Sequence, residues 1–70
     1  MIPLTFANVG EENIIKRIGG NTEVKHHLES LGFTVGENVT VINSLSGNVI
    51  VSIKESRVAI GSDLAAKIMI

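Results

Sequence analysis

The chain has no cysteine, no tryptophan and no tyrosine, and only one proline and two phenylalanines in 70 residues. Without cysteine there is neither a disulfide framework nor a thiolate metal site, two common ways of holding a small domain together. Charge of one sign is missing too: six Lys and Arg against seven Asp and Glu leave a formal charge of -1, so nothing draws the chain to nucleic acid in general. Lys16, Arg17, Lys54, Arg57 and Lys67 are not interleaved with the stacking aromatics that a single-strand groove uses. Long apolar runs are likewise missing. The most apolar stretches, Asn38 to Ile42 and Asn48 to Ile53, are far shorter than the ~20 residues that cross a bilayer as a helix. Met1 to Phe6 has no basic segment ahead of an apolar one, as a signal peptide would, and no lipidation motif is present. These absences predict a soluble cytoplasmic protein with no direct membrane insertion, one that meets a membrane only through a partner. The length predicts one domain, 1–70, whose folding removes only about 60% of the chain's surface from water, so its stability margin is narrow.

What is present is a change of period halfway along. Asn21 is placed to cap a helix from about Thr22 to Leu31, with Glu23 near the positive end of its dipole. Val24, Leu28 and Leu31 recur at i, i+4 and i+7 and predict one buried stripe. Gly32 follows as the residue that stops the helix at positive φ, and Gly36 as the turn before the next strand. From Asn38 the period is two: Val39 and Val41 share one face, and Val49, Val51 and Ile53 share one face of the next strand. Asn43 to Asn48 reads as the hairpin loop, with Gly47 at positive φ. About Ser56 to Ile60 is a third strand after a tight turn at Lys54-Glu55-Ser56. Before the helix, Phe6 to Val9 reads as a short helical turn and Asn13 to Ile18 as one strand. At the C-terminus Ser62 is placed to cap a single turn over Asp63 to Ala65, and Ala66 to Ile70 is a closing strand. Five strands with one short helix suit a small, partly open β-barrel better than a βαβ unit, since only one connection is long enough for a crossover.

Chemistry is scarce. No base is placed by the sequence beside any Ser or Thr, and Glu11-Glu12 reads as a solvated turn rather than an acid–base pair, so no enzyme is expected. Gly19-Gly20 lacks the Lys and Ser/Thr of a phosphate-binding loop. On the helix, His26 and His27 point about 100° apart and do not chelate one ion. Glu23 lies one turn before His27 and offers a two-ligand N/O pair for weak divalent metal binding, with no obligatory cofactor implied. Three residues are candidates for binding a partner: Leu45, apolar at the predicted hairpin tip; Arg57, suited to one phosphate or one partner carboxylate; and Val35, in the turn after the helix. Phe33 has two readings, a contact folded back on Leu28 and Leu31 or a surface position beside Val35. In a chain with two aromatic residues, Phe6 and Phe33 are both expected in the core. Unpaired barrel edges are a further route, to strand addition or weak homo-oligomers.

The pattern Leu28-x-x-Leu31-Gly32-Phe33-x-x-Gly36, preceded by Gly10 and Ile14 to Ile18 and followed by the valine hairpin and Arg57-Val58-Ala59-Ile60, resembles the ferrous iron transport protein A (FeoA) family from about Leu4 to Ile70. The resemblance implies an SH3-like barrel in the cytoplasm that serves as an accessory to the membrane ferrous iron transporter FeoB. It also extends to the C-terminal SH3-like domain of iron-dependent transcriptional repressors, which makes a metal-responsive regulatory domain the alternative role. No helix-turn-helix pattern accompanies it, which favours the transporter reading.

Overall fold

The computed structural model describes residues 1–70. Six strands form two antiparallel sheets. A four-stranded sheet, in the order β1-β3-β4-β5, is built from Glu12–Ile14 (β1), Asn38–Leu45 (β3), Asn48–Ile53 (β4) and Ser56–Gly61 (β5). A two-stranded sheet pairs Arg17–Ile18 (β2) with Ile68–Met69 (β6). Between β2 and β3 lies the helix α1, Thr22–Ser30, and between β5 and β6 the single turn α2, Ser62–Ala65.

The predicted strand Asn13 to Ile18 is divided between the two sheets. Ile15, fully buried, marks the handover: its N–H donates to Glu37 O at 2.9 Å, while Lys16 N–H donates to Met69 O at 2.8 Å. The predicted strand is divided where the chain exchanges one set of backbone hydrogen-bond partners for the other. The first helical turn falls at Leu4–Phe6, a 3-10 turn two residues earlier than the periodicity suggested. With three residues per turn, Leu4 is fully buried and Ala7 half-buried while Phe6 turns outward, 72% exposed. Phe6 is therefore not the core aromatic that the composition suggested. The chain ends meet: Ile2 and Ile70 exchange N–H···O bonds of 2.9 and 2.8 Å.

Asn21 caps α1 as expected, its side-chain oxygen accepting from Val24 N–H at 2.9 Å. The other end is a Schellman closure. Phe33 N–H donates to Leu28 O and Gly32 N–H to Glu29 O, both at 2.9 Å, with Gly32 at φ +104°. Leu28 and Phe33, brought together by that closure, are fully buried, whereas Val24 and Leu31 are half-buried at the edge of the core. The buried stripe is thus one residue wide with two flanking contacts.

β3 runs to Leu45, so the predicted six-residue loop contracts to a two-residue turn, Ser46-Gly47, with φ of 34° and 85° as a type I′ hairpin requires. A bulge between Val41 and Asn43 leaves Ile42 without a partner on β4. Val39 and Val41 before it are buried; Asn43, Ser44 and Leu45 beyond it are exposed. On β4, Val49, Val51 and Ile53 face inward. Ser62 begins α2 but makes no side-chain capping bond, which corrects its expected role. All fourteen buried residues are apolar and form one cluster. The accessible surface of 4259 Å² is close to the roughly 4,200 Å² of a compact monomer of this mass.

Candidate interaction surfaces

Three concavities lie between these elements. The most apolar is a crevice of about 250 Å³ between the 3-10 turn and the β3–β4 hairpin, with Leu4, Ala7, Val9, Val41 and Val49 among its walls and Thr5, Ser44, Gly47 and Ser62 completing it. It exists because the β3 bulge carries the hairpin end away from the core, and Ser62 N–H then ties Gly47 O to the start of α2 at 2.8 Å. Of the exposed apolar side chains, Val9 (63%) lines it; Phe6 (72%) and Leu45 (54%) are exposed nearby in the chain but do not line it. Sequence reading singled out Leu45 and missed the exposure of Phe6 and the crevice residue Val9. The signal for Phe6 was its spacing of two from Leu4, which a 3-10 turn rotates about 120° away.

The second concavity, about 420 Å³, lies between β2, α1 and the turn after the helix; Lys16, Arg17, Lys25, Glu29, Ile18, Thr34 and Val35 line it. The third, about 330 Å³, opens on the four-stranded sheet between Glu12, Glu37, Glu55, Lys54 and neighbouring strand residues.

The candidate residues do not converge on one surface. Phe33 is fully buried, so it shapes the Leu31–Gly36 turn from beneath and offers nothing to a partner. Val35 is 66% exposed on the lip of the second concavity. Arg57 is exposed on the edge strand β5, opposite Ser52 of β4. Gly36, at φ +93°, donates its N–H to Ile15 O at 2.8 Å, which holds the turn against the point where the first segment changes sheets. Glu23 and His27 are both exposed on α1. No three His, Asp or Glu side chains are grouped to hold a metal ion, so this pair supplies at most two ligands. No helix is long and apolar enough to cross a membrane.

A small all-apolar core wrapped by two antiparallel sheets, with its polar atoms at the surface, defines a compact SH3-like module whose distinctive features are surfaces. The FeoA domain model matches residues 2–70, and the chain belongs to the FeoA family. It is 44% identical over 70 residues to a protein of Methanocaldococcus jannaschii provisionally described as Fe(2+) transport protein A, all of this chain aligning with 85% of that one. The crystal structure of an iron uptake regulatory protein (FeoA) superposes with a TM-score of 0.89 at 34% identity, over 97% of this chain and 90% of that one. A zinc-complexed FeoA of Stenotrophomonas maltophilia, described as an SH3 domain protein, gives 0.84 at 17% identity, over 99% and 88% of the chains. A manganese-dependent transcriptional repressor shares the fold, with a TM-score of 0.84 at 22% identity over 94% of this chain but 38% of the repressor. Family membership places the chain with the accessory proteins of ferrous iron uptake.

Proposed function

We propose that this protein is a non-catalytic cytoplasmic accessory of ferrous iron uptake that binds the membrane transporter FeoB and modulates its activity by docking. One observation supports the docking mode: an apolar crevice lined by Leu4, Ala7, Val9, Val41 and Val49, in which Val9 stands 63% exposed. Apolar side chains held in water around a concavity are the arrangement that captures an apolar group of a partner. Val35 and Arg57 lie outside this crevice, on the second concavity and on the edge strand β5. Ferrous iron is the transporter's cargo, and the Glu23 and His27 pair contributes at most weak, unselective binding to it.

The test is capture from native membranes with this chain as bait, with transporter abundance checked independently. Recovery of the transporter supports the reading. Recovery of a DNA-bound regulator without the transporter would move the role to the repressor-domain alternative, with which the chain shares its fold.

A further inference from the structure

The charges of this nearly neutral chain are sorted. Three of its six Lys and Arg residues, Lys16, Arg17 and Lys25, line the concavity between β2 and α1, where Glu29 is the only carboxylate. The groove on the four-stranded sheet has the opposite balance, with Glu12, Glu37 and Glu55 against Lys54. A local excess of cations on a chain of net charge -1 is not explained by overall composition. It is set by the fold, since Lys16 and Arg17 reach this place only because the first segment leaves the large sheet at Ile15 and pairs with β6.

We propose that this groove binds an acidic, extended peptide segment of a partner protein, at a site separate from the apolar crevice. Charge complementarity selects an anion. The rest of the lining selects its kind. Val35, 66% exposed, gives the groove an apolar surface beside its cations, Ile18 being largely buried, and Thr34 adds a hydroxyl donor and acceptor. A peptide of carboxylates interrupted by apolar side chains matches that mixture and can pass Glu29 with a neutral residue opposite it. A nucleic acid strand presents charge at every step and would meet Glu29 with a phosphate; the groove also has no aromatic platform for its bases. The two concavities share no residue, so they can be occupied independently, and the proposal does not rest on the identity of the crevice's partner.

The test uses the intact chain and a synthetic seven-residue peptide of the pattern acidic-Leu-acidic-acidic-Leu-acidic-acidic, followed by amide chemical shifts. Saturable shifts of Lys16, Arg17, Ile18, Lys25 and Val35 are expected. Affinity should weaken at least about fivefold from low to high salt, since the contacts are exposed charges, and at least about tenfold in Arg17→Glu. Lys25→Glu, on the exposed face of α1, should weaken it similarly and keeps the test valid if Arg17→Glu disturbs β2. Lys54→Glu should leave it unchanged. The proposal is overturned if no shifts saturate, if they centre on Thr5, Ala7 and Ser44, if both charge reversals bind like the parent, or if single-stranded DNA competes with equal or higher affinity. Such a failure leaves capture of the transporter through the crevice unaffected, and loss of that capture leaves peptide binding at the groove unaffected.

Discussion

Replacing Gly32 with alanine isolates the backbone geometry that ends α1 and sets the turn after it. Gly32 lies at φ +104°, where its N–H closes the helix onto Glu29 O. A Cβ there would meet Lys54 Cδ at 3.6 Å and Ile53 Cγ2 and Cγ1 at 3.9 and 4.0 Å, all ordinary contact distances. There is no clash to relieve, so the cost is conformational: about 1–2 kcal/mol for an L-residue held at left-handed φ, partly offset by the alanine chain's lower unfolded-state entropy. A net loss of about 1 kcal/mol lowers the melting temperature of a domain this size by about 4–8 °C. Gly61→Ala is the matched control, because Gly61 has φ -64° and open space around its Cβ direction; it should be neutral or gain about 0.4–1 kcal/mol. Urea unfolding of the two variants beside the parent reads the difference directly, and the slope of the transition should not change. Equal midpoints for Gly32→Ala and Gly61→Ala would refute the closure as a source of stability.

The β4–β5 turn predicts the opposite sign: Lys54 and Glu55 hold φ of 48° and 65° without being glycine, so Glu55→Gly should stabilise the domain by about 1 kcal/mol, seen as a higher urea midpoint. The two phenylalanines should behave differently, since Phe33 is fully buried and Phe6 is 72% exposed. Phe33→Ala should cost about 3–5 kcal/mol and leave little folded protein by circular dichroism, while Phe6→Ala stays within about 0.5 kcal/mol of the parent. Anaerobic calorimetric titration with Fe(II) should give binding weaker than micromolar that His27→Ala reduces further, because Glu23 and His27 supply only two exposed ligands.

Wherever a local rule acts alone, the fold is legible in the sequence. Asn21 caps, Gly32 closes, and the alternation of Val39, Val41, Val49 and Val51 sets the buried face of the large sheet, each through contacts within a few residues or across one hairpin. The departures arise where tertiary partners decide. Ile14 to Ile18 looks uniformly strand-like, and only the competing hydrogen bonds of Glu37 and Met69 divide it between two sheets. The length of β3 is set by its pairing with β4 through Leu45 and Asn48, which overrides the loop character of Asn43 and Ser44. The candidate surfaces are less legible still. Leu45 stands out by sequence because it is apolar between serines, but the crevice forms without it, where Val9 meets Val41 and Val49 through the approach of the N-terminal segment to the hairpin. Lys16, Arg17 and Lys25 likewise lie up to nine positions apart, with a glycine pair and a helix cap between them, and become one groove only when β2 pairs with β6.

The central claim, that this domain acts on iron uptake by docking through its apolar crevice, is tested most directly by ferrous iron uptake in cells deleted for the protein and complemented with the parent or with Val9→Glu at matched abundance. Val9 lines the crevice, is 63% exposed and lies outside every helix and strand, so the substitution should leave the melting temperature within about 2 °C of the parent, as expected for a surface change. The parent should restore uptake and Val9→Glu should leave it near the level of the deleted strain. Full restoration by Val9→Glu would contradict the account.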